Sequence, residues 1–175
     1  DKEGAHKFLS IGALLNYLSP DKPEVQYAIK ECMRRASSPC AGDLTALKRV
    51  ARFILHLPRE VVTFKWQDYR DHVKVCVDAD FAGCMATSRS TTGAFLTLRG
   101  PDTRFPLSAA SQKQTCVSKS TTEAETVAAD SGLRAEGIPA LDLWDKLFQR
   151  NVELKVLEDN EAMIKIMKFI CSFKV

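Results

Sequence analysis

The sequence is poor in the residues that build metal fingers and disulfide scaffolds. Among its 175 residues are six cysteines and three histidines. No two cysteines form a C-x-x-C pair, and His6, His56 and His72 are scattered. That spacing argues against a structural zinc site and against a disulfide framework. The thiols read instead as buried and reduced, in an intracellular, non-secreted protein. No apolar run approaches the roughly 18 residues needed to span a bilayer, so no membrane partner is expected. The opening "DKEGAHKFLS" has neither the basic start nor the apolar core of a signal peptide. It also lacks an initiating methionine, which points to a fragment or a processed product. Neither G-x-S-x-G nor G-x-x-x-x-G-K-[ST] occurs, which removes serine hydrolase and nucleotide hydrolase readings. A large charge excess is missing too. The formal net charge of +3 is too small to declare a nucleic-acid binder from composition alone.

What is present is an ordinary globular balance, 45% hydrophobic and 27% charged. It suits one domain, or a small domain with an appended helical piece. Residues 8–57 read as helices. "FLSIGALLNYLS" has helical spacing and stops near "PDKP". "PEVQYAIKECMRRAS" runs from Pro23 to about Ser37, and proline suits a first helical turn. Asp43 is placed to cap "LTALKRVARFILHL", where Leu44, Leu47, Ala51 and Ile54 form an apolar stripe. Lys48, Arg49 and Arg52 lie outside that stripe, as a solvated face or a nucleic-acid backbone contact.

From about residue 61 the period changes. "VVTFKW", "HVKVCVD", "TTGAFLTLRG" and "RFPLSAASQKQTCVS" are strand-like, and the last three fit consecutive antiparallel strands of one sheet. "STTEAETVAADSGLRAEGIPALDLWDKLFQR" is helical, with Gly137 and Pro139 expected to kink or split it. "VELKVLED" reads as a buried strand and "NEAMIKIMKF" as a short helix. The order three strands, helix, strand, helix predicts a mixed α/β layer preceded by a helical segment. The boundary between the two parts falls within 58–70.

Three elements offer a carboxylate at an end. Asp78 closes the first strand, Glu125 lies in the first turns of the long helix, and Asp159 closes the fourth strand. Each has a local alternative: a turn for Asp78, favourable charge near a helix N-terminus for Glu125, a helix cap for Asp159. Glu123 and Glu125 are two apart, about 200° around a helix, and cannot share a face. Glu123 completes a capping box with Ser120, a local role that Glu125 lacks. In α/β sheets, functional groups collect where strand ends meet helix starts. Converging carboxylates repel unless a hard cation neutralises them, and oxygen ligands of this kind suit Mg²⁺.

Taken in order, "VDADFAG", "SRSTTGAFLTL", "SAASQKQT", "SKSTTEAETVAA" and "LEDNEAMIKI" resemble the ribonuclease H domain of copia-type retrotransposon Pol polyproteins. "GALLNYLSPDKPEVQYAIKE", with "LTALKRVARFIL" after it, is similar to the helical tail of the preceding reverse transcriptase. The resemblance implies a ribonuclease H-like fold over 66–175 and a reverse-transcriptase tail over 1–65. It also implies hydrolysis of the RNA strand of RNA/DNA hybrids with two divalent metals, Mg²⁺ or Mn²⁺, and no small-molecule cofactor. Asp78, Glu125 and Asp159 match the first aspartate, the glutamate ligand and the aspartate of the D-N-Q strand end. Asp80 is expected to support rather than ligate. Arg89, Lys113, Lys119, Lys48 and Arg52 are the candidate backbone contacts. The expected partners are the hybrid and a reverse transcriptase domain of the same polyprotein, in the cytoplasm, a virus-like particle or the nucleus.

The chain departs from the family pattern in two places. The fourth acidic ligand of the family has no counterpart in "MKFICSFKV", which reads as a truncated C-terminus. Phe81 stands where the family has tryptophan. Glu158 is not expected to substitute for the fourth ligand, because adjacent strand residues point to opposite faces. An alternative therefore stands beside the nuclease: an inactive retroelement remnant that keeps the fold and at most binds nucleic acid or a polymerase.

Overall fold

A computed structural model of the chain describes residues 2–59, 61, 63–66 and 72–172. The chain separates into two compact units, Asp1–Thr63 and Phe64–Val175.

The first unit is three helices, α1 (Lys2–Leu18), α2 (Pro23–Met33) and α3 (Ala41–His56), with one 3-10 turn at Ser19–Asp21. Phe8, Val25, Ile29, Cys32, Leu47 and Val50 form its core, one apolar stripe from each helix. α2 is shorter than its sequence pattern suggests. After Met33 the chain passes into i→i+3 turns, with Ala36 N–H donating to Met33 O at 3.1 Å. The approaching Pro39 disfavours helical backbone in the residue before it. α3 starts before Asp43, not after it. Cys40 is the extended N-cap residue, and Asp43 reaches back to accept its N–H at 2.8 Å.

The second unit is a four-stranded mixed sheet in the order β3-β2-β1-β4, built from β1 (His72–Cys84), β2 (Arg89–Arg99), β3 (Arg104–Lys113) and β4 (Glu153–Leu157). β1, β2 and β3 are antiparallel neighbours, as alternation predicted, and β4 lies parallel to β1. The fold class expected from the sequence, a mixed α/β layer preceded by a helical segment, is the one observed. The run at 61–66 differs: residues 61 and 63–66 form no strand, and Val62 lies outside the described residues. Val61 and Trp66 are exposed there, and β-rich composition without a ladder partner does not make a strand.

Val73, Val75 and Val77 of β1 point to one face and pack with Leu96 under helix α4 (Thr121–Gly132). α4 carries small residues on its inner side, with Ala124, Ala128, Ala129 and Gly132 all buried. A Cβ at Gly132 would stand 2.5 Å from Val77 Cγ1, so glycine is what lets this helix lie so close to β1. The long helical stretch is interrupted where Gly137 and Pro139 predicted. One π-helical turn, Leu133–Gly137, separates α4 from α5 (Ile138–Phe148). β4 is an edge strand rather than a buried one, with Val156 and Leu157 exposed. α6 (Glu161–Ser172) follows it, and Met163 joins the core.

Candidate metal centre

Asp78 is presented by a strand that does not stop there. β1 continues to Cys84, and the turn that Asp78 was expected to open lies at residues 85–88. The β1–β4 ladder ends at Cys76↔Leu157, while Asp78 still pairs with Gly93 on the other side. Asp78 thus sits where β1 has lost one neighbour and kept the other. Beyond it the register shifts between Asp80 and Cys84. Ala82 adopts φ 52°, a left-handed backbone that costs a non-glycine residue about 1 kcal/mol. Its N–H donates to Ser90 Oγ at 3.0 Å, and Ser90 is fully buried. The Asp80 carboxylate folds over Gly83, where any side chain would collide with it.

Glu125 comes from the second turn of α4. Ser120 is the N-cap and accepts the Glu123 N–H at 3.1 Å, while Glu123 Oε2 accepts the Lys119 N–H at 2.8 Å. Glu123 is therefore occupied at the helix start, and Glu125 faces inward at 7% exposure. The Ala79 N–H hydrogen-bonds its carboxylate, tying it to the residue after Asp78. Its Oε2 is buried with no hydrogen-bond partner. Gln114 steadies the same corner. Its buried Nε2 donates to Thr92 Oγ1 at 3.1 Å and to the Ala124 carbonyl at 2.9 Å, and its Oε1 accepts from Ser118 Oγ at 3.3 Å. Gln114 lies within "SAASQKQT" among other polar residues, and nothing in its local sequence distinguishes it from Gln112.

Asp159 was open to a capping role, but Asn160 takes it, accepting the Met163 N–H with Oδ1 at 2.9 Å. Glu158 Oε1 accepts the N–H groups of both Asp159 and Asn160 at 3.0 Å. The Asp159 carboxylate is left exposed and directed to the other two. One ligand atom each from Asp78, Glu125 and Asp159 lies within 4.8 Å of the others.

The electrostatics follow from this placement. Burial, then the charges of Glu158, Asp78 and Asp159, push the Glu125 carboxyl up to about 7, against the Ala79 N–H that favours its anion. Burial also raises Glu158, with the charges of Asp159 and Asp78 adding to it. Glu158 is not among the converging ligand atoms, as expected, although strand alternation is not the reason. Residue 158 lies past the last residue of β4, where the two-residue period no longer applies, and its charge acts on Glu125. The donor set fits a hard divalent cation: clustered carboxylate oxygens, one of them buried and orphaned.

The basic candidates are only partly brought together: Arg89 pairs with Cys84, whose Sγ accepts from Lys113 Nζ at 3.6 Å. Arg89 is half-buried at the start of β2, Lys113 is exposed at the end of β3, and Lys119 is exposed just before α4. Lys48 and Arg52 are exposed on α3 of the other unit. A cleft of about 420 Å³ lined by Lys113, Val127, Asp130 and Arg134 lies on the side of α4 away from Glu125. The carboxylates do not line it; with Asp78 and Asp159 exposed, their centre opens directly to solvent. Among the described residues, no helix is long and apolar enough to cross a membrane.

The second unit is thus a mixed α/β domain compatible with a ribonuclease H-like fold, with three carboxylates gathered at its strand ends. The uncharacterized mitochondrial protein AtMg00810 of Arabidopsis thaliana is 34% identical over 118 residues, 67% of this chain and 47% of that protein. The retrovirus-related Pol polyprotein from transposon RE1 of Arabidopsis thaliana is 30% identical over 119 residues, 68% of this chain and 8% of the polyprotein. Secreted RxLR effector protein 161 of Plasmopara viticola is 31% identical over 122 residues, 68% of this chain and 80% of that protein. Over about two thirds of its length the chain is thus similar to retrotransposon Pol polyproteins. It spans about half the length of the mitochondrial relative and less than a tenth of the Pol polyproteins. No family profile matches it, and no solved structure does.

Proposed function

We infer that residues 66–175 are a ribonuclease H domain of a copia-type Pol polyprotein, following a reverse-transcriptase tail, and that the domain hydrolyses the RNA strand of RNA/DNA hybrids. The reading is carried by one observation: Glu125, nine-tenths buried with an unpartnered carboxylate oxygen, meets two exposed aspartates within 4.8 Å. A buried carboxylate beside two like charges is unfavourable in water alone and favourable around a divalent cation. Asp78, Glu125 and Asp159 would hold Mg²⁺ or Mn²⁺. Such a cation supplies an activated water and stabilises the departing 3′ oxygen in phosphodiester hydrolysis.

The chain's own residues do the positioning. The Ala79 N–H fixes the Glu125 carboxylate, Gln114 fixes the start of α4, and Asn160 frees Asp159 from capping. An open, solvent-facing centre suits a polymer laid across the sheet end rather than a small molecule enclosed in a cavity. Arg89, Lys113 and Lys119 would take backbone phosphates. Discrimination of RNA from DNA would use 2′-hydroxyl contacts on the attacked strand. The second reading, a folded hybrid binder that does not cut, draws on the metal-competent group, which holds three carboxylates among the described residues.

The test is an end-labelled RNA/DNA hybrid with Mg²⁺ or Mn²⁺, beside Asp78→Asn. Cleavage confined to the RNA strand and abolished by the substitution is expected. Retained hybrid binding without cleavage by the folded wild-type chain would select the second reading.

A further inference from the structure

Glu158 is the acid that neither capping nor the three-carboxylate group accounts for in full. Its Oε1 holds the two N–H groups that shape the turn between β4 and α6. Its Oε2 is buried and has no hydrogen-bond partner, and the same is true of Glu125 Oε2. An isolated turn-making glutamate would leave its second oxygen in water, where hydration costs nothing. Here the second oxygen is instead withdrawn from solvent, and the Glu158 charge acts on Glu125, whose carboxylate is itself nine-tenths buried and orphaned. Two buried, unpartnered carboxylate oxygens on glutamates whose charges interact are tolerable when positive charge is bound nearby.

We propose that Glu158 is a fourth carboxylate of the cation centre, a positioning residue that holds Asp159 through Oε1 and adds negative charge behind Glu125 through Oε2. The proposal rests on the cation-binding reading of Asp78, Glu125 and Asp159. Glu158 is not among the ligand atoms that meet within 4.8 Å. It therefore acts through Asp159 and through the field, and raises cation affinity without touching the reacting phosphate. Residues in such supporting positions typically govern metal affinity by about 10- to 100-fold.

Two substitutions separate its two oxygens. Glu158→Gln keeps an acceptor for the Asp159 and Asn160 N–H groups and removes the charge; Glu158→Ala removes both. Mn²⁺ binding to the full chain, followed by the resonance of free Mn²⁺, is measured for wild type, both variants and Asp78→Asn, with melting of each metal-free protein. Glu158→Gln should weaken Mn²⁺ binding about tenfold and raise the metal-free melting temperature, because repulsion against Glu125 is relieved. A residue that merely shaped the turn would move neither. Wild-type affinity in Glu158→Gln, with destabilisation only in Glu158→Ala, would overturn the proposal and leave the three-carboxylate centre standing. Absence of Mn²⁺ binding by wild type, equal to Asp78→Asn, would overturn that centre and the proposal with it.

Discussion

The start of α4 and the start of α6 solve one problem in two ways. Each carries neighbouring acids that must divide between local hydrogen bonding and the centre. On α4 the division is angular. Glu123 and Glu125 are on opposite sides of a regular helix, so one holds the Lys119 N–H and the other is buried against β1. Before α6 the acids are consecutive and no helix separates them. There the division is by depth: Glu158 turns inward with one oxygen on two backbone N–H groups, Asp159 stays exposed, and Asn160 takes the cap. Periodicity assigns roles inside a regular element; in a connection, only hydrogen bonding and burial do.

The comparison breaks most visibly if the two α4 glutamates are exchanged in importance. Glu125→Gln should lower divalent-metal affinity and hybrid cleavage by about 100-fold or more, because it removes a buried ligand. Glu123→Gln should leave cleavage unchanged and cost at most about 1 kcal/mol of stability, read by urea denaturation. Equal losses of cleavage in the two variants would mean that the helix face does not separate their roles.

A smaller effect is expected from pH. The folded carboxyl of Glu125 ionises near 7, above its ordinary value of 4.5. Between those values the folded chain keeps a proton that the unfolded chain has lost, so metal-free stability falls as pH rises and the loss is complete above 7. Melting followed from pH 5 to pH 8 should drop in wild type, flatten in Glu125→Gln, and recover in wild type when Mg²⁺ is added at pH 8.

The smallest change sharpens the α6 side. Asn160→Ala should cost about 1 kcal/mol through loss of the cap, with metal affinity little altered. Asp159→Asn should do the reverse, lowering Mn²⁺ affinity with no loss of metal-free melting temperature, since its charge repels Glu125 and Glu158. Measured together, they separate capping from charge at adjacent residues.

Much of the second unit was legible because its signals are periodic. Alternation in "HVKVCVD" and "TTGAFLTLRG" put Val73, Val75, Val77 and Leu96 on one buried face, and the observed ladder pairs those runs in antiparallel register. Gly137 and Pro139 marked a break, though not that it would be a π-helical turn. "VVTFKW" had strand composition without a partner, and "VELKVLED" became an edge strand because it lies outermost beside β1. Neither outcome is encoded locally, since pairing and coverage depend on distant segments. Asp78, Glu125 and Asp159 were visible as acids at element ends, and their convergence within 4.8 Å came from the packing of α4 and β4 on β1.

The sequence by itself determined the elements: helix faces, strand alternation and the Ser120–Glu123 cap. These follow from short-range sterics and hydrogen bonding, which act within a few residues. Only the tertiary structure decided which oxygen atoms are withdrawn from water. Gly132 lets α4 descend onto Val77, that approach buries Glu125, and the turn after β4 buries Glu158 Oε2. Burial is a property of everything packed around an atom, and that is why the charge environment of the centre emerges only when the sheet and its helices are assembled.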